Sequence, residues 1–570
     1  QIILKLIWCS ADLLMKLLHY ESRPGFDTKH LSSMLSSSFR CPVRQTPVIM
    51  LSSLVKADRL AAHVGKKYAP FYEFIARTLK SQAGDVDLHN ATSITGNCKT
   101  IADLPGPSLA TTAYWLFVKG YADKSHAMQV EHKRLYGPIW RSRFGPFDMV
   151  NVATAELIAQ VIQQEGRYPV RTDLPHWKEY RDMRGQAYGI NVDTGPEWYR
   201  IRSALNPKML KLKEVAAYAP IIHEVVSDLL QRVELLRLRS PDQVTVKDLA
   251  SELYKFGFEG ISSILFETRF GCLQEEIPTD TLRFISAVND MLALSEMVLF
   301  FPRWTRHIFP FWKRFVQAWD DLYGVARRLI DKKVKEIHDQ VERGEEVEGM
   351  YLTYLLSSNK LSLGEMYISL TELLLGGVDT TSNTLSWTLY HLARDAAVQN
   401  RLYNEIASVC PNKELPTAEH LTRMPYMKAV IKETLRIYPV VPGNGRLTVD
   451  SEVIVDNYWF PKKTQFHLCH YAVSHDESNF PEPERFVPDR WLRDNPSRSQ
   501  HHPYSSVPFG VGVRACVGKR VAELEMYFAL SRLMQHYEVR TEKGAPSIHP
   551  KTRTLLIPSK PIDLQFIPRV

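Results

Sequence analysis

The sequence predicts a single large, mainly α domain with small β-sheets, carried behind a basic N-terminal extension. Three observations lead there. Apolar residues recur at helical spacing through most of 197–535, short alternating runs are confined to 447–455 and 554–566, and the basic segment 29–80 holds nearly all of the net charge. With 45% hydrophobic and 24% charged residues the chain can bury a large core, which excludes a disordered protein.

The extension comes first. Between Lys29 and Lys80 nine basic residues face only Asp58 and Glu73, so seven of the eight net positive charges lie there. The remainder is close to neutral, which argues against nucleic acid as a partner of the folded body. The segment is rich in serine and can form an amphipathic helix through Leu54, Val55, Leu60, Ala61 and Val64, the pattern of a mitochondrial transit peptide. We therefore expect 1–102 to be an N-terminal extension with a transit peptide and 103–570 to be the folded domain. Because Gln1 stands where an initiator Met would, the chain is expected to be a fragment or to carry an upstream extension; Met34 opens a plausible leader of its own, which would leave 1–33 outside it. No run reaches the ~18 apolar residues of a membrane span, and 2–18 is broken by Lys5, Asp12 and Lys16. Seven scattered cysteines without a CxxC exclude a disulfide framework and a structural zinc site.

Along the body, Pro105-Gly106-Pro107 reads as a hinge. Tyr136-Gly137-Pro138 and Phe144-Gly145-Pro146 then bracket a strand at 139–144. Long amphipathic helices are expected at 218–237, 315–343, 363–395 and 427–437, with a last one from Lys519 to His536. There is no internal repeat.

The chemistry concentrates in Phe509-Gly510-Val511-Gly512-Val513-Arg514-Ala515-Cys516-Val517-Gly518. A cysteine just before a helix start is well placed to carry a thiolate, because first-turn N–H groups and the helix dipole stabilise negative charge. Gly512 and Gly518 allow a tight loop and close approach to a flat ligand, and Arg514 offers a cation to a carboxylate. A second motif, Gly376-Gly377-Val378-Asp379-Thr380-Thr381, puts two glycines inside a helix at about 1 kcal/mol each. Gly376 and Thr380 share a face, so a gap and a hydroxyl stand together. Third, Glu433 and Arg436 lie three apart on a helix and can pair.

These motifs resemble the cytochrome P-450 family, whose loop Phe-x-x-Gly-x-Arg-x-Cys-x-Gly is matched at every fixed position. The resemblance implies the cytochrome P-450 fold, with haem b held between the oxygen-binding helix and the cysteine-loop helix. It implies Cys516 as the iron's thiolate ligand, dioxygen as co-substrate, and Thr380 with Asp379 as the groups that organise proton delivery. Gly376 stands where the family usually has Ala. Cofactor contacts implied are Trp198, Arg202, Arg446, Phe509, Gly512, Arg514 and Gly518. Glu433 and Arg436 are expected to form a structural triad with Arg490 of Phe486-Val487-Pro488-Asp489-Arg490-Trp491; the nearby Pro483-Glu484-Arg485-Phe486 is a decoy one step upstream.

Such an enzyme needs two electrons per turnover, and the chain holds no flavin or nicotinamide domain. Mitochondrial members take electrons from NADPH through a reductase and a small 2Fe-2S ferredoxin of the adrenodoxin type. Lys428, Lys432, Lys519 and Arg520 are the expected surface for that acidic partner. Aromatics interleaved with cations over 297–314 suit either a peripheral dip into a bilayer or core with flanking charges. Gly271-Cys272-Leu273-Gln274, Pro302-Arg303-Trp304-Thr305-Arg306, Pro310-Phe311-Trp312-Lys313-Arg314 and 379–387 look like the mitochondrial sterol side-chain hydroxylases. The expectation is thus a monooxygenase of a lipophilic sterol, peripheral on the matrix side of the mitochondrial inner membrane. Vitamin D hydroxylases and a retinoid desaturase of the same family are the nearest alternatives. More distant are peroxide isomerases that dispense with the Thr hydroxyl, which Thr380 and Asp379 argue against, and a non-catalytic haem-binding protein.

Overall fold

In a computed structural model, residues 98–144, 147–345, 349–496 and 501–569 are described, and the expected transit peptide lies outside them. The compact body runs from Lys99 onward. Its longer helices are α1 (Ser125–Tyr136), α2 (Ala155–Gln163), α3 (Pro175–Arg184), α4 (Gly195–Leu210), α5 (Ala219–Arg239) and α6 (Leu249–Phe266). There follow α7 (Thr279–Phe300), α8 (Phe311–Glu342), α9 (Leu363–Arg394), α10 (Ala396–Val409), α11 (Pro425–Ile437) and α12 (Lys519–His536). The helices expected from periodicity are present, most with ends within a few residues of those read.

The strands are short: β1 (Lys99–Thr100), β2 (Ile139–Phe144), β3 (Phe147–Val152), β4 (Thr245–Val246), β5 (Asn444–Leu447) and β6 (Val453–Val455). The rest are β7 (Tyr458–Phe460), β8 (Gln465–Leu468), β9 (Tyr537–Arg540), β10 (Pro550–Arg553), β11 (Leu555–Pro558) and β12 (Leu564–Pro568). Four of them form a sheet in the order β2-β3-β8-β5, antiparallel except for β3 with β8. Where one alternating run was expected at 447–455, the chain makes two strands in different sheets, because Leu447 pairs with Gln465 while Val453 pairs with Phe460. The 554–566 run likewise divides into β11 and β12. Pro105-Gly106-Pro107 is a docked segment rather than a hinge. The Arg141 amide donates to Pro105 O at 2.9 Å, and a side chain on Gly106 would collide with the Arg141 carbonyl.

Two helices, α6 and α9, are buried on nearly every side and form the centre of the main core. Glycines set how closely they pack. A Cβ on Gly257 would sit 2.7 Å from Ser382 Oγ and 2.9 Å from Val378 O; one on Gly377 would sit 2.7 Å from Ile261 Cγ1. The helix glycines therefore repay their propensity cost in close backbone approach. Gly260 does the same toward α12, where a Cβ would stand 2.8 Å from Glu525 Oε1.

The segment that leads to the cysteine loop is fastened to α11 by Glu433. Its Oε1 accepts from Arg436 Nη2 (2.8 Å), Arg490 Nε (3.2 Å) and the Val487 amide (3.1 Å). Its Oε2 accepts from Arg436 Nε and Trp491 Nε1, each at 2.9 Å. The Arg485 side chain instead pairs with Glu482 at the surface, and the upstream decoy joins this network only through its carbonyl, which accepts from Arg436 Nη2 at 3.1 Å. A wholly buried carboxylate with five donors leaves uncompensated cations if removed. Glu433→Ala should cost about 3–5 kcal/mol in denaturant unfolding; a loss under about 1 kcal/mol would show the network to be surface-like in strength.

Candidate functional site

The loop before α12 is built on two residues with positive φ, Gly510 (+67°) and Gly512 (+71°), a region that favours glycine. Amide–carbonyl bonds close it: Gly510 to Val507 (2.8 Å), Ala515 to Gly512 (3.1 Å) and Cys516 to Phe509 (2.8 Å). Cys516 is thereby held at the mouth of α12. Burial pushes its thiol pKa up; the Gly518 amide, then Arg171 and Arg202, pull it back. The other cysteines of the body, Cys272, Cys410 and Cys469, are buried beside Thr281, His420 and His467 and do not line the cavity that Cys516 does.

Cys516 lines a cavity of about 320 Å³, within the ~300–1,000 Å³ typical of small-molecule and cofactor sites. Phe509, Gly518 and Val521 share its wall, and α9 forms the other side with Gly376, Gly377, Thr380 and Thr384. A Cβ on Gly376 would meet nothing within 4 Å, so this glycine opens space while Gly377 serves helix packing. Thr380 Oγ1 donates to Gly376 O at 2.7 Å. Asp379 is not on the cavity wall. It is buried, with Asn383 Nδ2 at 3.4 Å and Arg553 at 4.0 Å. Burial raises its pKa against the pull of Tyr254 and Arg553.

Cations crowd one edge. The Arg514 guanidinium lies 3.6 Å from the centre of the Trp198 ring and donates to the carbonyls of Pro169 (2.7 Å), Ile190 (3.3 Å) and Asp193 (3.1 Å). Arg202 donates to Asn206 Oδ1 (2.6 Å) and Ala515 O (2.7 Å). Arg446 stands behind the wall, in an ion pair with Glu165, and Gly512 faces that pair rather than the cavity. The sequence reading missed Arg171, which does line the cavity. It donates to Arg514 O at 2.7 Å, its Nε is buried without a protein partner, and burial and then Arg446 push its pKa down to about 10.

Of the four expected surface cations, Lys432 and Arg520 are exposed and Lys428 and Lys519 half-buried. Lys428 has Glu523 and Glu405 nearby, Arg520 donates to Glu523 at 3.2 Å, and Lys519 lies 5.5 Å from the Phe509 ring centre. The 297–314 stretch is mixed: Phe311 and Phe315 are core, whereas Trp304 and Ile308 are 47% and 63% exposed. Among the described residues no helix is long and apolar enough to cross a membrane.

A sequence model of the family Cytochrome P450 matches residues 104–566. The chain belongs to the cytochrome P450 family. It is 45% identical to the mitochondrial sterol 26-hydroxylase of Rattus norvegicus over 477 residues, 83% of this chain and 89% of the relative. The Homo sapiens protein of the same name is 44% identical over 83% of this chain and 90% of its own length. The mitochondrial 25-hydroxyvitamin D-1 alpha hydroxylase of Homo sapiens is 41% identical, over 83% and 93%.

Membership makes this P450 a monooxygenase with a haem-thiolate iron that uses dioxygen, and its residues fit that group. Cys516, a free cysteine on the cavity wall, offers a single sulfur donor. Opposite it Gly376 is open, and at the edge Arg171 Nε waits for an acceptor.

Another wall residue, besides Arg171, was not legible in the sequence. Glu525 on α12 is 1% exposed, its Oε1 has no partner among the described protein atoms, and burial pushes its pKa from 4.5 up to about 8. The folded carboxyl keeps its proton to a higher pH than the unfolded one, so this group costs stability as pH rises from 4.5 to about 8. Across that range the melting temperature of the wild type should fall relative to Glu525→Gln; parallel profiles would contradict the assignment.

Proposed function

We propose that this P450 hydroxylates the side chain of a sterol in mitochondria, with electrons passed from NADPH through a reductase and a 2Fe-2S ferredoxin. One observation carries the reading: mitochondrial sterol 26-hydroxylases align at 44–45% identity over 89–90% of their length. The family match over 104–566 spans both cavity walls, and those walls are lined largely by apolar side chains such as Ile261, Leu373, Leu435 and Val440.

When bound, haem supplies the iron redox chemistry that activates dioxygen. Cys516 Sγ holds the iron, and the amides of Gly518 and Lys519 hold the sulfur's charge. Arg171, Arg202 and Arg514 orient the cofactor's carboxylates, with Trp198 bracing Arg514 and Arg446 reinforcing the edge from behind. Phe509 covers the sulfur side, while Gly512 and Gly518 keep the loop close. Thr380 carries a proton at Oγ1 on the open side, and Asp379, one residue away, connects that helix face to groups outside the cavity. Glu433, Arg436 and Arg490 fix the approach to the cysteine loop.

An acidic ferredoxin would meet Lys428, Lys432, Lys519 and Arg520 on the cysteine side. Trp304 and Ile308, flanked by Arg303 and Arg314, suit peripheral contact with the matrix face of the inner membrane. The expected extension, 1–102, would serve as the leader-bearing part up to Cys98, and the haem domain, expected from 103, would begin at Lys99, where the compact body starts. Reconstitution with NADPH, ferredoxin reductase and a 2Fe-2S ferredoxin should convert cholesterol or a bile-acid sterol to a side-chain alcohol, read by mass spectrometry. Turnover confined to 25-hydroxyvitamin D or retinol would overturn the sterol assignment.

A further inference from the structure

A buried ion pair, Arg181–Glu372, joins the start of a strap over the cavity to the oxygen-side helix. Both side chains are fully buried, with Arg181 Nη2 3.5 Å from Glu372 Oε1. Glu372 also accepts the Asn191 amide at Oε2, at 3.0 Å. One carboxylate therefore fastens both ends of 181–191. Between them the chain turns at Gly185 (φ +60°) and passes Gly189, where a Cβ would fall on the Glu372 carboxylate itself. Arg181 is in turn held by Gln186 Oε1 (3.0 Å) and lies 4.2 Å from the Trp319 ring centre. From the opposite side, Arg514 holds the carbonyls of Ile190 and Asp193.

The location matters more than the strength. Glu372 precedes Gly376 by four residues and Thr380 by eight, so all three stand on one stripe of α9. Ile190, Asn191, Glu372, Gly376 and Thr380 all line the cavity. A molecule reaching the open Gly376 face is thus bounded by the strap that Glu372 holds. Stability alone gives little reason to bury this pair, because replacing a buried ion pair with apolar groups is often neutral or stabilising.

We propose that Glu372 is a positioning residue for the substrate: by fixing the strap at Arg181 and Asn191 it sets the clearance between Ile190 and the Gly376–Thr380 face, and so which carbon of a lipophilic substrate is presented. The inference rests on the P450 reading but not on the sterol.

The test compares two azoles that bind haem iron from the open side, imidazole and the bulky clotrimazole, by Soret titration of haem-loaded protein. In Glu372→Leu/Arg181→Met, which removes both charges together, the melting temperature and imidazole affinity should stay near wild type. The ratio of clotrimazole to imidazole affinity should shift roughly tenfold, and the product of any accepted substrate should spread over more than one carbon. Glu372→Gln keeps an acceptor for the Asn191 amide and should preserve most of the wild-type ratio. Gly189→Ala displaces the strap by crowding the Glu372 carboxylate while leaving both charges in place, and should reproduce the shift even if the double variant folds poorly. An unchanged ratio in Gly189→Ala or in a folded double variant would overturn the proposal and leave the pair a packing feature. Neither titration uses a sterol, so failure of sterol turnover leaves this result standing. No Soret shift in the wild type would defeat the haem reading and this proposal with it.

Discussion

Keeping a thiolate inside a folded chain requires charge compensation that an apolar interior cannot supply. The surroundings of Cys516 follow from that requirement. The loop closes on glycines with positive φ so that the sulfur meets the first amides of α12, and Arg171 and Arg202 add positive charge. Even so, burial still pushes the thiol pKa up. What remains is compensation by a bound cation, which is the part a haem iron would play.

The same constraint explains why the centre of the fold is packed through glycines. The cavity needs two walls that neither collapse nor drift, and α6, α9 and α12 provide them by close approach at Gly257, Gly260 and Gly377. Gly376 is the exception that leaves room. Adjacent glycines thus do opposite work, one excluding a side chain from a helix contact and the other from the space above the sulfur. At the far edge, Glu433 ties the segment ahead of the loop to α11, so the sulfur's position depends on groups far from the cavity.

Much of this was legible in the sequence because the signals are local. Strand β2 stood out between two Gly-Pro pairs, and the loop around Cys516 is one continuous motif. The two-strand break within 447–455 was not legible, since alternation records burial and cannot record a change of sheet. Asp379 lies on a helix buried all round, where periodicity cannot say which side faces the cavity. Arg171 and Glu372 were missed for another reason. Each is an ordinary charged residue in sequence, and its partners, Arg514 and Arg181, lie 343 and 191 residues away. The β6–β7 hairpin was overlooked although Asp456-Asn457, both at positive φ, carries a turn signal.

The central claim is that Cys516 holds haem iron as a thiolate. The direct measurement is the carbon monoxide difference spectrum of the reduced, haem-loaded protein. A thiolate ligand predicts the strongly red-shifted Soret band in the wild type and its loss in Cys516→Ser. A wild-type band at the position given by a histidine ligand, or a red-shifted band that survives in Cys516→Ser, would contradict it.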